Sequence, residues 1–286
     1  MLFSVMGEKL GMDRVEYVKP SFPADAFAGT AVYYVQYRIP YPKALIDDLL
    51  KRTGISGDGK LLDLACGPGR IAIPLASSFR EVWAIDLEPE MIEVGQKESK
   101  RTGITNIKWM VGKAEDLEAA SASFQLITIG DAFHRLNQQR VARQALEWLR
   151  TGCCLAILGS YGVMDDQEPW QRLVAEIVSH WTSRAAAHGD ASAQPQPGSS
   201  PDHNRLVLRD TGFAEVASYP FVEPHDWTIE TIIGYLYSTS FCSKKVLGDN
   251  ATAFEAELKA ALLAHDPSGH YSEHMRCGYT IGRKPA

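Results

Sequence analysis

Long apolar runs are missing from the 286 residues, and none approaches the roughly 20 that a membrane-spanning helix requires. No secretory leader is expected either. Met1 to Met6 is apolar but short, Glu8, Lys9, Asp13 and Arg14 follow at once, and no small-residue cleavage site comes after a longer apolar stretch. A cytoplasmic protein with no membrane partner is therefore expected. The five cysteines, Cys66, Cys153, Cys154, Cys242 and Cys277, are odd in number and include no C-x-x-C pair with a matching partner pair. They read as reduced and structural, and no metal site is expected. Runs of Lys and Arg interleaved with aromatics are also missing, so the phosphate-neutralising surface of a nucleic-acid binder is not evident. With a net charge of −6, a cationic partner is better matched.

What is present, 45% hydrophobic and 22% charged residues, is the composition of a globular enzyme. From Lys60 to Leu158 short β-rich runs alternate with helical patterns, as in a parallel sheet with crossover helices. Strands are predicted over Lys60 to Ala65, Glu81 to Asp86, Ile107 to Val111, Phe124 to Gly130 and Cys153 to Gly159. Helices are predicted over Pro42 to Thr53, Gly69 to Ser78, Pro89 to Thr102 and Gln138 to Arg150. Trp170 to Arg184 is an amphipathic helix, and Ala185 to Pro201, rich in Ala, Ser, Gln, Gly and Pro, reads as a flexible linker or a lid. The chain resumes with helices at Asn204 to Thr211, Ile229 to Ser238 and Ala251 to Ala264, and strands at Glu215 to Val222 and Arg276 to Arg283. The expected fold class is α/β: a doubly wound, mostly parallel seven-stranded sheet with a substrate-facing helical elaboration. Its expected units are 1–159, a cofactor core with an N-terminal helical cap, 160–203, a helix and linker insertion, and 204–286, which completes the sheet and pocket.

Gly67-Pro68-Gly69 follows a buried strand and opens a helix, where small residues let backbone amides approach a ligand at the carboxyl edge of the sheet. With Ala72 it satisfies G-x-G-x-x-A, and Asp86 ends the next strand, where a ribose would find an acceptor. By themselves these residues admit a nicotinamide dinucleotide as readily as another adenosine cofactor.

The acid ahead of the glycines separates the two. Asp63-Leu64-Ala65-Cys66-Gly67-Pro68-Gly69 resembles motif I of the class I S-adenosylmethionine (SAM)-dependent methyltransferases. Val82 to Asp86 resembles their ribose-binding strand, Gly112 to Leu117 their adenine loop, and Phe124 to Asn137 their fourth strand and catalytic loop. Gly130-Asp131-Ala132-Phe133-His134-Arg135 is similar to the Ala-Phe-His-Trp loop of the type 11 small-molecule branch, with Arg135 in place of Trp. Tyr37-Arg38-Ile39-Pro40-Tyr41-Pro42 is similar to that branch as well. The resemblance implies a Rossmann-like fold with SAM as cofactor and S-adenosylhomocysteine (SAH) as product. It implies cofactor contacts from Arg38, Asp63, Ala65, Gly67, Gly69, Asp86, Leu87, Ala114, Glu115 and Gly130.

Methyl transfer needs the acceptor lone pair held in line with the methyl group and water excluded. His134 and Asp131 are the expected catalytic residues, nearest the proton that an amine or hydroxyl must lose. Tyr161, Trp170, Trp227 and Tyr235 are the expected substrate contacts, because aromatics beside carboxylates suit an aminated or polyhydroxylated small molecule. The resemblance and the acidity together point to N-methylation of an amino sugar or aminoglycoside in antibiotic biosynthesis. O-methylation of another natural product, a non-catalytic SAM-binding regulatory module and a nicotinamide-dependent oxidoreductase are the alternatives.

Overall fold

A computed structural model of the chain describes residues 25–55, 57–160, 162–165, 167–187 and 200–286. Seven strands form one sheet: β1 (Lys60–Leu64), β2 (Glu81–Asp86), β3 (Ile107–Val111), β4 (Phe124–Gly130), β5 (Leu149–Ser160), β6 (Ala214–Thr228) and β7 (His270–Arg283). Their order is β3-β2-β1-β4-β5-β7-β6. The first five run parallel, whereas β7 is antiparallel to both β5 and β6. This is the doubly wound, mostly parallel sheet that the alternating pattern predicts. Strand order reverses at β1, so a crevice opens between the carboxyl ends of β1 and β4.

The flanking helices are α1 (Ala31–Tyr37), α2 (Lys43–Thr53), α3 (Ala72–Leu75), α4 (Pro89–Arg101), α5 (Gln138–Trp148), α6 (Pro169–Ala187), α7 (Pro201–Thr211), α8 (Ile229–Tyr237), α9 (Lys244–Leu247) and α10 (Ala251–His265). Local chemistry sets several of their ends. Asn137 caps α5 by accepting from the Arg140 amide, Ser200 caps α7 ahead of Pro201, and Thr228 with Thr231 forms a reciprocal capping box on α8. Gly54 and Gly212 close α2 and α7 in the left-handed conformation.

Hydrophobic alternation in the strands feeds a core on each face. Leu61, Val82, Leu126 and Ala156 pack with Leu45 and Leu49 of α2 and Leu75 of α3. Leu62, Ile127, Ile129 and Leu155 pack with Val141 and Ala145 of α5 and Val207 and Leu208 of α7 on the other. A third core joins Val174 and Val178 of α6 to Ile232 and Leu236 of α8 and Phe254 and Leu258 of α10, around Trp227 and Tyr271. The helical elaboration is thus one packed layer drawn from both sides of the Ala185 to Pro201 segment, of which 188–199 lie outside the described residues.

Five elements depart from the sequence reading. The helix expected over Gly69 to Ser78 is reduced to α3 and a 3-10 turn, Ala76–Ser78, because Gly69 at φ 87° delays its start and Pro74 offers no amide to extend it. Strands β6 and β7 are longer than expected, pairing without a break from Ala217↔Ile281 to Thr228↔His270. Pro220, Pro224 and the charges around them hide that strand in the sequence. Helices α1 and α9 were not expected, being too short to show a period.

At Gly69 the backbone is left-handed, and a Cβ would lie 2.6 Å from the Trp109 ring, which also packs on Gly95 of α4. Gly69→Ala should therefore destabilise the fold by about 2–4 kcal/mol, read as a lowered urea midpoint. An unchanged midpoint would show that Trp109 yields freely.

Candidate active site

Two cavities open side by side at the carboxyl edge of the sheet. The smaller, about 360 Å³, is lined by Ala65, Gly67, Asp86, Leu87, Met91, Ala114, Glu115 and Gly130 among others. The larger, about 580 Å³, runs between the end of β5, the middle of β6 and β7, and the turn after α8, and includes His134, Ser160 and Phe241. Phe27, Tyr34, Asp131, Ala132 and Arg135 line both. A group bound in one cavity can therefore reach a group bound in the other across that strip.

The loop after β1 builds one wall. Gly67 is left-handed at φ 53°, and a Cβ placed there would meet nothing within 4 Å, so the loop turns its backbone toward open space. Asp86, at the end of β2, accepts from the Gly67 amide at 2.7 Å and from the Glu88 amide at 2.9 Å. A carboxylate offers about four acceptor positions, so two hydroxyls can still be received. Glu115 accepts from the Asn137 amide at 2.9 Å, which ties the loop after β3 to the start of α5.

Asp131 stands at the junction. It is left-handed at φ 49°, an uncommon conformation for a residue with a side chain, and Ala65, also in the smaller cavity, shares it at φ 52°. Four donors fix the Asp131 carboxylate: Tyr41 Oη at 2.8 Å, Arg70 at 3.3 Å, and the Ser160 amide and hydroxyl at 2.7 and 2.9 Å. Arg70 also donates to the Ile39 carbonyl. His134 lies on the wall of the larger cavity only, where burial first and Arg135 second hold its imidazole down at about 4. It is neutral at physiological pH. Arg135 donates to Ser240 Oγ at 2.8 Å and stacks on Phe27 at 4.5 Å.

The expected cofactor residues Ala65, Gly67, Asp86, Leu87, Ala114, Glu115 and Gly130 thus come together around one cavity. The other three do not line it. Asp63 lies behind the loop, 1% exposed, bracing it by accepting from Thr128 Oγ1 at 2.8 Å and the Ala72 amide at 3.1 Å. Gly69 faces Trp109, and Arg38 faces the larger cavity. Among the expected substrate residues, Tyr161 lies outside the described residues. Trp170 and Trp227 are core: Trp170 packs on Tyr271, and Trp227 donates to Glu273 at 2.7 Å. Tyr235 supports Arg38 from behind with a hydrogen bond of 3.2 Å. Phe27, Tyr34, Arg70 and Ser160 were missed. Their positions follow from where α1, the loop after β1 and the end of β5 converge, which no local pattern reports.

Residues 61–152 match the family model described as methyltransferase domain. That segment is similar to methyltransferase domains. It contains the loop after β1, Asp86, Glu115 and the Asp131 to Arg135 turn, so most of the smaller cavity belongs to it. An uncharacterized RNA methyltransferase of Halalkalibacterium halodurans is 31% identical over 114 residues, 40% of this chain and 25% of that protein. The uncharacterized methyltransferase YcgJ of Bacillus subtilis is 26% identical over 133 residues, 46% of this chain and 50% of YcgJ. The chain thus spans between a quarter and half the length of these two curated relatives. The crystal structure of YcgJ superposes with a TM-score of 0.57 at 16% identity, covering 86% of this chain and 100% of that one. The Haemonchus contortus phosphoethanolamine N-methyltransferase 2, solved with phosphomonomethylethanolamine and SAH, gives 0.52 at 17% identity, covering 90% and 57%. At these identities the structures establish the shared fold.

Burial raises the Asp63 carboxyl to about 7, against roughly 3.9 in an unfolded chain. The folded state therefore holds this proton more tightly, and stability from this site is full below about pH 4 and lost as pH rises through about 7. Asp63→Asn can still accept from Ala72 and donate to Thr128. The variant should keep the fold and gain stability relative to wild type between pH 4 and 7, by urea titration at stepped pH. A difference independent of pH would contradict this account of Asp63.

Proposed function

We propose that the protein is a SAM-dependent methyltransferase that binds the methyl donor in the smaller cavity and a small-molecule acceptor in the larger one. The observation that carries this reading is the strip of Phe27, Tyr34, Asp131, Ala132 and Arg135 common to both cavities. The matched methyltransferase domain supports the donor side. The residues fit the donor: Asp86 for the ribose hydroxyls, Leu87 and Met91 as apolar walls for the adenine, and the backbone of Ala65 and Gly67 for the amino-acid end. Bound there, SAM supplies a methyl group on a sulfonium, open to in-line displacement.

The two residues expected to be catalytic take different roles in this reading. Asp131, with its oxygens engaged by Tyr41, Arg70 and Ser160, holds the segments around the junction in place. His134, neutral and on the acceptor wall, is the group to hold and take a proton from an amine or hydroxyl. The amino-sugar acceptor expected from net charge is not favoured by the wall, which among the described residues carries Arg38, Arg135, Arg205 and Arg276 against the one carboxylate of Asp131. A polyhydroxylated acceptor remains compatible with Ser160, Ser218 and Ser240.

SAH at about 100-fold above its dissociation constant should raise the melting temperature by about 5 °C or more, whereas NAD should not. Stabilisation by NAD alone would return the chain to the oxidoreductase reading. His134→Gln should lower kcat by about 100-fold while leaving SAH affinity unchanged in calorimetry. Full methyl transfer by that variant would remove His134 from the chemistry.

A further inference from the structure

We infer that Asn204 determines acceptor specificity: its carboxamide, with the hydroxyls of Ser218 and Thr280, receives a neutral hydroxyl or amide of the acceptor, remote from the atom that is methylated. This rests on the reading of the larger cavity as the acceptor side of a methyltransferase. Helix α7 buries Asn204, Val207 and Leu208, an i, i+3, i+4 stripe turned to the sheet. Val207 and Leu208 pack there in the core. Asn204 shares the stripe, is 5% exposed, and lines the larger cavity. An apolar residue would complete that stripe without cost. Instead the helix buries a carboxamide whose oxygen, among the described residues, has no donor. A buried acceptor left unpaired costs stability, so a ligand that supplies the donor gains what the free protein forgoes.

The facing strands supply the complementary half. Arg205, next to Asn204, donates to Ser218 Oγ at 3.2 Å and ties α7 to β6, while its charge is matched by Asp202. Ser218 and Thr280 share one hydrogen bond of 2.9 Å, and both line the cavity. Whichever hydroxyl donates across that bond, the other keeps its own proton. This end of the cavity therefore holds an unspent acceptor and an unspent donor. A hydroxyl or an amide answers both, because each donates and accepts. Strand register gives its distance from the chemistry. Ser160, which donates to Asp131, pairs with Cys277, and Thr280 lies three residues along the same strand, about 10 Å away. Between these levels Gly159 pairs with Gly278. A Cβ on Gly159 would point to the side of Ile157, which packs with Val207 and Leu208, and would meet nothing within 4 Å. The floor there is bare backbone. The substrate class is therefore an elongated molecule with a flat body, its methyl-accepting atom at one end and a neutral hydroxyl or amide at the other.

The test is calorimetric binding to the full chain saturated with SAH, using 4,4′-biphenol, 4′-hydroxybiphenyl-4-carboxamide, 4-phenylphenol and 4-hydroxy-4′-methylbiphenyl. Their remote ends carry a hydroxyl, an amide, a hydrogen and a methyl group. At least one of the first two should bind about tenfold or more tightly than the last two, which leave the buried carboxamide unpaired. Whichever binds better identifies hydroxyl or amide as the preferred group. Asn204→Leu and Asn204→Ala should each cut the preference below about threefold with SAH affinity held within about threefold. At least one of these variants should also melt at or above the wild-type temperature, because the carboxamide oxygen it removes has no donor in the free protein. Equal or tighter binding of the methyl compound, no binding of any of the four, or an undiminished preference in either variant would overturn the inference. So would a lowered melting temperature in both variants or a loss of SAH affinity in either, which would assign Asn204 to the fold. Failure of SAH to bind the unmodified chain is read in the first titration, and it sinks the methyltransferase reading instead.

Discussion

The arrangement of both cavities depends on one carboxylate. Asp131 draws donors from the segment before α2, the loop after β1 and the end of β5, so three stretches far apart in sequence are drawn to one point. Its left-handed backbone is a strained conformation that persists only when the surroundings over-determine it, and here four donors do so. The same residue lies where the two cavities meet. Its charge therefore serves position first: Arg70 and Tyr41 are oriented by it, and Arg70 in turn holds the Ile39 carbonyl.

Around that point the division of labour follows from burial. Asp63, fully enclosed, has no route to a ligand and instead braces the loop after β1 through the Ala72 amide and Thr128. Asp86, at the open end of β2, accepts one amide from that loop and one from Glu88 just ahead of α4, and it lines the smaller cavity. Two acids that look equivalent as motif residues thus differ in function because one sits inside the sheet and the other at its edge. Burial first, and the neighbouring Arg135 charge second, keep the His134 imidazole neutral.

The α/β sheet was legible because β1 to β5 are short apolar runs set between helical periods, and Gly67, Asp86, Ala114, Glu115 and Gly130 were legible because each sits at a fixed place on a strand end. Long-range convergence was not legible. Trp170 and Trp227 were expected at the substrate because they are large and aromatic, yet the helical layer needs them for its own core, with the Trp227 indole satisfied by Glu273. Arg38 was expected at the donor from a local resemblance, and the packing of α1 against α8 carries it to the other cavity. Net charge says little about a single cavity for a related reason. A total of −6 describes the whole chain, whereas among the described residues the wall of the larger cavity carries more arginines than acids.

The central claim is that donor and acceptor meet at the strip shared by the two cavities. A crystal structure of the complex with SAH tests it most directly. The account predicts the ribose on Asp86 and the sulfur facing Phe27, Asp131 and Arg135, open toward the larger cavity. SAH seated with its sulfur turned away from that strip, or bound outside the smaller cavity altogether, would contradict it.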